Sequence, residues 1–241
     1  MPSTLHPASR LCTAWSLALA ASAASAGDWQ GAVGLASDKV IRGLTQSQGE
    51  ATLLLDLNYR ADTAWMATLG FATLQRHGHE GRSNEFSAGL AKAWQLDDDW
   101  LAQTGYAHYQ YSGEAPAYIR HYDEVTASLG WQGRVAGTLT LSPNTYSWYR
   151  SGQPRPGPAL ATELSLNQRV MGRLALQAGA GYYQLMDAGN WGYGYASVGL
   201  SWGLGPVQTY LSYISSQAAK RGLVPASFAG ERCVGTVLWG F

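Results

Sequence analysis

The sequence predicts an all-β fold, a transmembrane antiparallel β-barrel of about twelve strands. Three observations predict it. Apolar and polar residues alternate along most of the chain, the composition is poor in charge and rich in aromatic residues and glycine, and the connections between the alternating segments are short and long in turn. A single barrel domain then covers residues 27–241.

The clearest alternation lies at the carboxyl end, from Glu231 to Phe241. A period of two is that of a β-strand whose two faces meet different surroundings. In a membrane barrel these are lipid outside and water inside, and closure leaves no unpaired edge. Soluble β-sandwiches can also end on such a strand, so this stretch alone leaves that alternative open. The apolar register consists of Cys233, Gly235, Val237, Trp239 and Phe241.

Both ends of the chain indicate a bacterial outer-membrane protein. Residues 1–26 contain a basic residue, an apolar run and Ala24-Ser25-Ala26, which is the pattern of a secretory signal peptide. The terminal Phe241 resembles the signal by which outer-membrane barrels are handed to their assembly machinery. That resemblance implies the machinery as a partner, beside the lipid of the outer membrane.

The composition excludes several other classes of protein. Basic and acidic residues number 16 each, so the chain lacks the basic excess that nucleic-acid binding needs. Charged residues make up 13% of the chain beside 29 glycines, 14 tyrosines and 10 tryptophans, the reverse of a disordered composition. The sequence contains no run of about 18 apolar residues, so it predicts no membrane-spanning helix. Without residues 1–26 the chain keeps only Cys233, so we expect no internal disulfide.

Alternating segments of about ten residues, the length at which a tilted strand crosses a bilayer, define the predicted strands. Their bounds are 29–43, 51–60, 64–74, 84–96, 100–111, 122–131, 135–142, 159–168, 173–183, 192–202, 206–215 and 231–241. Every second connection is a short turn, at 61–63, 97–99, 132–134, 168–172 and 203–205. The others are longer and rich in Gly, Pro, Ser and Gln. This asymmetry predicts short periplasmic turns and long extracellular loops.

Tryptophan supplies an independent check, because it prefers the interface between membrane and water. Seven tryptophans begin or end predicted strands, all at the rim with the short turns. We therefore expect an aromatic belt there. Its members are Trp29, Trp65, Trp94, Trp100, Trp131, Trp202 and Trp239.

The apolar registers predict which side chains face lipid. Lys92 is an exception beside Trp94, and we expect its ammonium group to reach the rim. The strand 100–111 is ambiguous, since Gln103 and Thr104 put a polar residue in either register. The predicted lipid-facing series include Leu53, Leu55 and Leu57; Trp65, Leu69 and Phe71; Phe86 and Leu90; Val125 and Leu129; Leu160, Leu164 and Leu166; Val198 and Leu200; and Leu211 and Tyr213.

The opposite registers are polar and predict the residues that line the lumen. Carboxylates are costly in an apolar core, so this many on one face imply a wet or densely paired interior. A barrel of about twelve strands permits a narrow pore, although an interior plugged by tyrosines, glutamines and ion pairs is the alternative. The candidate lumen-lining residues are Asp38, Arg42, Asp56, Asn58, Arg60, Glu85, Glu124, Glu163, Gln177, Tyr193, Tyr195, Gln208 and Tyr210.

Residues 37–47, SDKVIRGLTQS, and the following DLNY at 56–59 resemble the opening motif of the TorF-like porin family of proteobacteria. The match covers about residues 30–75. The chain departs from it at Leu69 to Leu74, where the family tends to place Trp and Asn. The resemblance implies an outer-membrane barrel with pore activity, and it brings no catalytic residues.

Within this motif, Asp38 and Arg42 are four residues apart. In an extended strand they share a face at roughly 13 Å, too far to pair with each other. We expect each to pair across strands, for instance with Asp56, Arg60 or the carboxylates beside the closing strand. Such pairs either fix the register or form a selectivity constriction. Gly43 is expected to let the wall bend into a loop.

The predicted function is passive diffusion of small polar solutes through a narrow lumen. The alternatives are a closed structural or ligand-binding barrel and, less strongly indicated, a barrel enzyme acting on lipid. His108 is not near a serine in a distinctive motif, and His77, His79 and Glu80 have a spacing compatible with a metal ion but lie in a predicted solvated loop. We therefore predict no catalytic residues, no metal and no cofactor.

Overall fold

A computed structural model describes residues 27–61, 63–75, 82–113, 121–146, 156–186 and 191–241. The predicted signal peptide, 1–26, lies outside the described residues, as do His77, His79 and Glu80. No helix in the described ranges is long and apolar enough to cross a membrane. The strands are β1 Asp28–Ala36, β2 Val40–Ile41, β3 Leu44–Thr45, β4 Thr52–Arg60, β5 Trp65–Gln75, β6 Arg82–Gln95, β7 Trp100–Gly113, β8 His121–Trp131, β9 Val135–Tyr146, β10 Pro156–Met171, β11 Leu174–Leu185, β12 Gly192–Leu204, β13 Val207–Ser216 and β14 Arg232–Gly240.

Twelve of these strands, β1 and β4 to β14, form a closed antiparallel barrel in which each strand pairs with its neighbours along the chain. This confirms the predicted fold class. β14 closes the barrel against β1, where Leu35 pairs with Val237. Beyond the end of β14, Gly31 and Phe241 exchange two backbone hydrogen bonds, at 2.8 and 2.9 Å. Phe241 therefore takes part in closing the barrel between β1 and β14.

The outer surface of the barrel is apolar, as the alternation predicts. Leu69, Leu164 and Leu211 are each more than half exposed, at 56%, 58% and 61%. An apolar surface that surrounds a whole barrel needs hydrocarbon around it. In β7 the ambiguity is resolved, because Gln103 is buried and Tyr106 is exposed. The even-numbered residues of β7 thus face outward.

The seven tryptophans of the predicted belt are all exposed at the turn rim, between 38% and 64%. Trp100 and Trp131 are register partners on β7 and β8. Lys92 lies with its ammonium nitrogen 5.4 Å from the ring centre of Trp65 and 5.6 Å from that of Trp94. The belt therefore holds this cation over aromatic faces at the rim.

The prediction of a first strand over 29–43 is wrong, because β1 ends at Ala36. Asp38 ends it by accepting hydrogen bonds from the hydroxyls of Thr45 and Ser47, at 2.5 and 2.7 Å. These bonds fold the chain into a small hairpin of β2 and β3 that turns at Arg42 and Gly43, both with positive φ. We call residues 37–51 the inner hairpin. β9 and β10 also extend beyond their predicted bounds of 135–142 and 159–168.

Candidate functional site

The inner hairpin crosses the inside of the barrel and is held there by three ion pairs. The Lys39 ammonium lies 2.5 Å from a carboxylate oxygen of Glu85 on β6. The Arg42 Nη1 atom lies 2.7 Å from Glu124 Oε1 on β8. At its base the hairpin is tied back to the closing strand, where Arg232 Nη1 lies 2.7 Å from Asp38 Oδ2. The hairpin therefore narrows the barrel from within.

The tip of the hairpin reaches yet another part of the wall. A Cβ atom added at Gly43 would lie 2.8 Å from the Cβ of Tyr195 and 2.9 Å from that of Ser216. Such an approach leaves no room for a side chain, so glycine is required here by space as well as by its positive φ. The expected bend at Gly43 is thus a turn packed against β12 and β13.

We expect Gly43→Ala to lower the free energy of unfolding by about 1–3 kcal/mol, because it combines a disfavoured φ with a steric clash. Gly49→Ala is the matched control. Gly49 also has a positive φ, but nothing lies within 4 Å of the added Cβ. Urea titration of the refolded barrels measures both changes. Equal losses in the two variants would mean that the tip does not pack on β12 and β13.

Arg42 is 7% exposed and forms the centre of the site. Burial disfavours its charge, but the attraction and hydrogen bond from Glu124 outweigh that effect, so the pKa of Arg42 lies above its ordinary value. The guanidinium carbon lies 5.5 Å from the ring centre of Tyr183 on β11. Arg42 therefore stays charged and bridges two walls of the barrel, β8 and β11.

The pairing leaves several polar atoms of the site unused. Arg42 Nε, Arg42 Nη2 and Glu124 Oε2 are buried and have no hydrogen-bond partner among the described residues. Glu163 accepts a hydrogen bond of 2.8 Å from the Tyr195 hydroxyl, and it has no ion pair within the described part of the chain. It lies close enough to Arg42 and Glu124 for their charges to act on it. The site thus offers both donors and acceptors.

Tyrosines surround the charges on two sides of the barrel. On one side the Tyr111 hydroxyl donates to Glu85 Oε2 at 2.8 Å, and the rings of Tyr109 and Tyr122 stack at 4.5 Å. On the other, Tyr183 and Tyr193 have ring centres 5.7 Å apart. Aromatic rings fill space with few rotatable bonds, so they hold the carboxylates in place and narrow the passage.

The last long loop covers the hairpin from the extracellular side. Its carbonyl at Phe228 accepts a hydrogen bond of 2.9 Å from the Thr45 backbone N–H, and Leu44 forms an isolated bridge with Ala229. Val224 and Ala229 are buried with Tyr193 and Tyr195. Within the described residues, the last loop and the hairpin therefore fill the part of the barrel interior beside β12.

Part-exposed polar side chains lie on the inner wall of the turn-side half. Asp56, Asn58 and Arg60 lie on β4, Gln177 on β11 and Gln208 on β13. None of these belongs to the three ion pairs that hold the inner hairpin. The suggested pairing of Asp38 and Arg42 with Asp56 and Arg60 is therefore wrong.

The other candidate residues separate into two groups. Arg42, Glu85, Glu124, Glu163, Tyr193 and Tyr195 come together around the hairpin, whereas Tyr210 is buried with Leu54 and Leu238 in an apolar cluster. Sequence reasoning missed Lys39, Tyr183 and Arg232. Arg232 shares the inward register of β14 with Leu238. The alternation along β14 could therefore have predicted that Arg232 faces the lumen.

An unexpected polar cluster lies on the outer face near the extracellular ends of β7 to β9. Asp123 accepts hydrogen bonds from the Tyr106 hydroxyl at 2.5 Å and from Asn144 Nδ2 at 2.7 Å. His108 Nδ1 lies 2.8 Å from Asp123 Oδ1, and its ring stacks on that of His121 at 6.0 Å. The described contacts of His108 include no serine or cysteine.

Comparison with solved structures places this barrel among outer-membrane porins and channels by fold. It is similar to the NanC porin, with a TM-score of 0.59 and 11% identity over 89% of this chain and 99% of the other. It is also similar to the KdgM porin, with a TM-score of 0.55 and 10% identity over 88% and 99%. The TodX monoaromatic hydrocarbon channel matches with a TM-score of 0.50 and 9% identity over 90% and 91%. No protein-family model and no curated sequence matches the chain.

Proposed function

We propose that this barrel is an outer-membrane pore through which small polar solutes diffuse passively. One observation carries the proposal. Beside the inner hairpin the charged side chains of Lys39 and Glu163 remain part-exposed, and below it Asp56, Asn58 and Gln177 do so as well. These part-exposed polar side chains support the proposal of a polar passage past the inner hairpin. The porin fold and the resemblance of residues 37–47 to TorF-like porins support the same function.

In this mechanism a solute enters from the turn side or from the extracellular mouth and exchanges part of its hydration for contacts with the hairpin. The inward charges set which solutes pass, and the hairpin and last loop set their size. We further propose that residues 1–26 direct export, and that β14 with Phe241 is read by the barrel-assembly machinery.

Swelling of proteoliposomes in isotonic sugars of increasing size tests the proposal. We expect swelling with small polyols such as erythritol and none with trisaccharides, because the hairpin narrows the lumen. Liposomes without protein give the background. A folded barrel that passes no solute of any size would support the closed barrel, which the burial of Arg42, Glu124 and Tyr193 favours.

The charge of the site predicts a preference for cations. Four carboxylates and three cations line the constriction, so one negative charge is in excess; they are Asp38, Glu85, Glu124 and Glu163 with Lys39, Arg42 and Arg232. Glu163→Gln removes that excess, so the reversal potential under a KCl gradient should move toward zero. Glu231→Gln, in an exposed position of the last loop, is the control. An unchanged potential in Glu163→Gln would show that ions bypass this site.

The pair of His108 and Asp123 on the outer face favours lipid hydrolysis as a second candidate function, since an oriented histidine is one part of many hydrolytic sites. A nucleophile is absent from the described contacts of His108. We therefore expect no release of fatty acid from outer-membrane lipid by the purified barrel. Release that His108→Ala abolishes would establish the enzyme instead.

A further inference from the structure

We propose that the site around Arg42 binds small zwitterionic solutes in transit, with Arg42 on the carboxylate and Glu163 on the ammonium group. The inference rests on the proposed pore function and names a solute class for it. Amino acids are the simplest solutes of this kind.

The donor part of the site is the unused edge of the Arg42 guanidinium. Its Nη1 atom is bound to Glu124, whereas Nε and Nη2 have no partner among the described residues. These two N–H groups form the fork that matches the two oxygens of a carboxylate. Buried donors are nearly always paired, so an unpaired fork indicates a missing acceptor. A solute carboxylate has the shape and charge to supply it.

The acceptor part is made by carboxylate oxygens that the hairpin leaves without an ion pair. Glu163 has a single described partner, the Tyr195 hydroxyl, and Glu124 Oε2 has none. An ammonium group carries three donors and needs acceptors of this type. Tyr195 donates to Glu163 and packs against Gly43, the residue next to Arg42. The two ends of a small zwitterion would therefore meet opposite charges in one site.

The same geometry binds a zwitterion better than a solute of a single charge or none. An anion would be attracted by Arg42 but repelled by Glu124 and Glu163, and a cation would leave the Arg42 fork unused. A polyol would pair with these groups without neutralising either charge. The fork is buried in the structure, so the binding of a carboxylate requires the hairpin tip to move. The Tyr183 ring on one face of the guanidinium then limits the space to a small solute.

The test compares the entry of serine and erythritol into proteoliposomes that contain the full chain. The ratio of the two swelling rates is measured for the unmodified protein, Arg42→Lys and Glu163→Gln. Lysine keeps a charge for Glu124 but lacks the planar fork. We expect the ratio to fall roughly three- to tenfold in both variants, which corresponds to the loss of about one hydrogen bond. Arg134→Lys, in an exposed turn, should leave the ratio unchanged.

The outcomes separate this inference from the pore function. If erythritol enters and the ratio is the same in all four proteins, the barrel is a pore without a zwitterion site and the inference is overturned. If neither solute enters through a folded barrel, the pore function itself fails. Saturable reduction of the ion current by millimolar serine, lost in Arg42→Lys, gives a second readout that does not depend on the amount of folded protein.

Discussion

Arg42→Ala is expected to raise the single-channel conductance several-fold and to weaken the barrel at the same time. The Arg42 side chain is the tie between the hairpin tip and β8, and without it the tip is free to swing toward the mouth. Glu124, only 1% exposed, would then lose its partner. Breaking a fully buried ion pair costs about 3–5 kcal/mol. Water in the lumen can reach Glu124 once Arg42 is removed, so we expect the free energy of unfolding to fall by about 1–3 kcal/mol.

Planar-bilayer recording measures the conductance, and urea titration measures the free energy of unfolding. The double variant Arg42→Ala with Glu124→Gln should regain part of the lost stability while keeping the high conductance, since no unpaired carboxylate remains. Arg134→Ala, in an exposed turn, is the control. A conductance equal to that of the unmodified protein would mean that the hairpin does not limit the passage.

Leu164→Arg is expected to prevent stable insertion in lipid. Leu164 lies near the middle of β10 and is 58% exposed on the apolar outer surface. An arginine on the lipid face near the bilayer midplane costs about 2–4 kcal/mol, a large part of the stability of a small barrel. We expect that cost to appear as a lower free energy of unfolding in lipid vesicles and a smaller folded fraction.

The neighbouring residue provides the matched control for this change. Ser165 lies on the opposite face of β10, and its hydroxyl contacts the Ala136 carbonyl inside the barrel. Ser165→Arg introduces the same charge one residue away, where water and Glu163 can accommodate it. It should therefore fold well. If Ser165→Arg unfolds the barrel and Leu164→Arg does not, the faces are assigned the wrong way round.

Alternation and tryptophan position made the barrel predictable from sequence. The lipid surroundings require an apolar residue at every second position of the wall. The outward orientation of Leu53, Leu164 and Leu211 can therefore be predicted from the residues next to them in sequence. The positions of Trp65 and Trp131 predict in the same way where the strands reach the rim of the barrel. Both patterns depend only on neighbouring residues and the membrane, and both are confirmed.

The inner hairpin could not be predicted from alternation or from the positions of the tryptophans. The end of β1 depends on hydrogen bonds from Thr45 and Ser47 to Asp38, which form only once the chain has turned. The partner of Arg42 is 82 residues away, and its choice depends on how far the hairpin reaches across a barrel of this width. Alternation carries no information about such distances. Several charged residues of the site, among them Arg42 and Glu124, were therefore predicted, but their pairing was not.

Single-channel recording of the full chain, purified in detergent and inserted into planar bilayers, tests the central claim most directly. We predict discrete, small conductance steps with a preference for cations, because in the proposed pore the charged hairpin narrows a polar lumen without closing it. Protein that migrates as a folded barrel, resists urea and never produces steps would contradict the claim and make this a closed barrel.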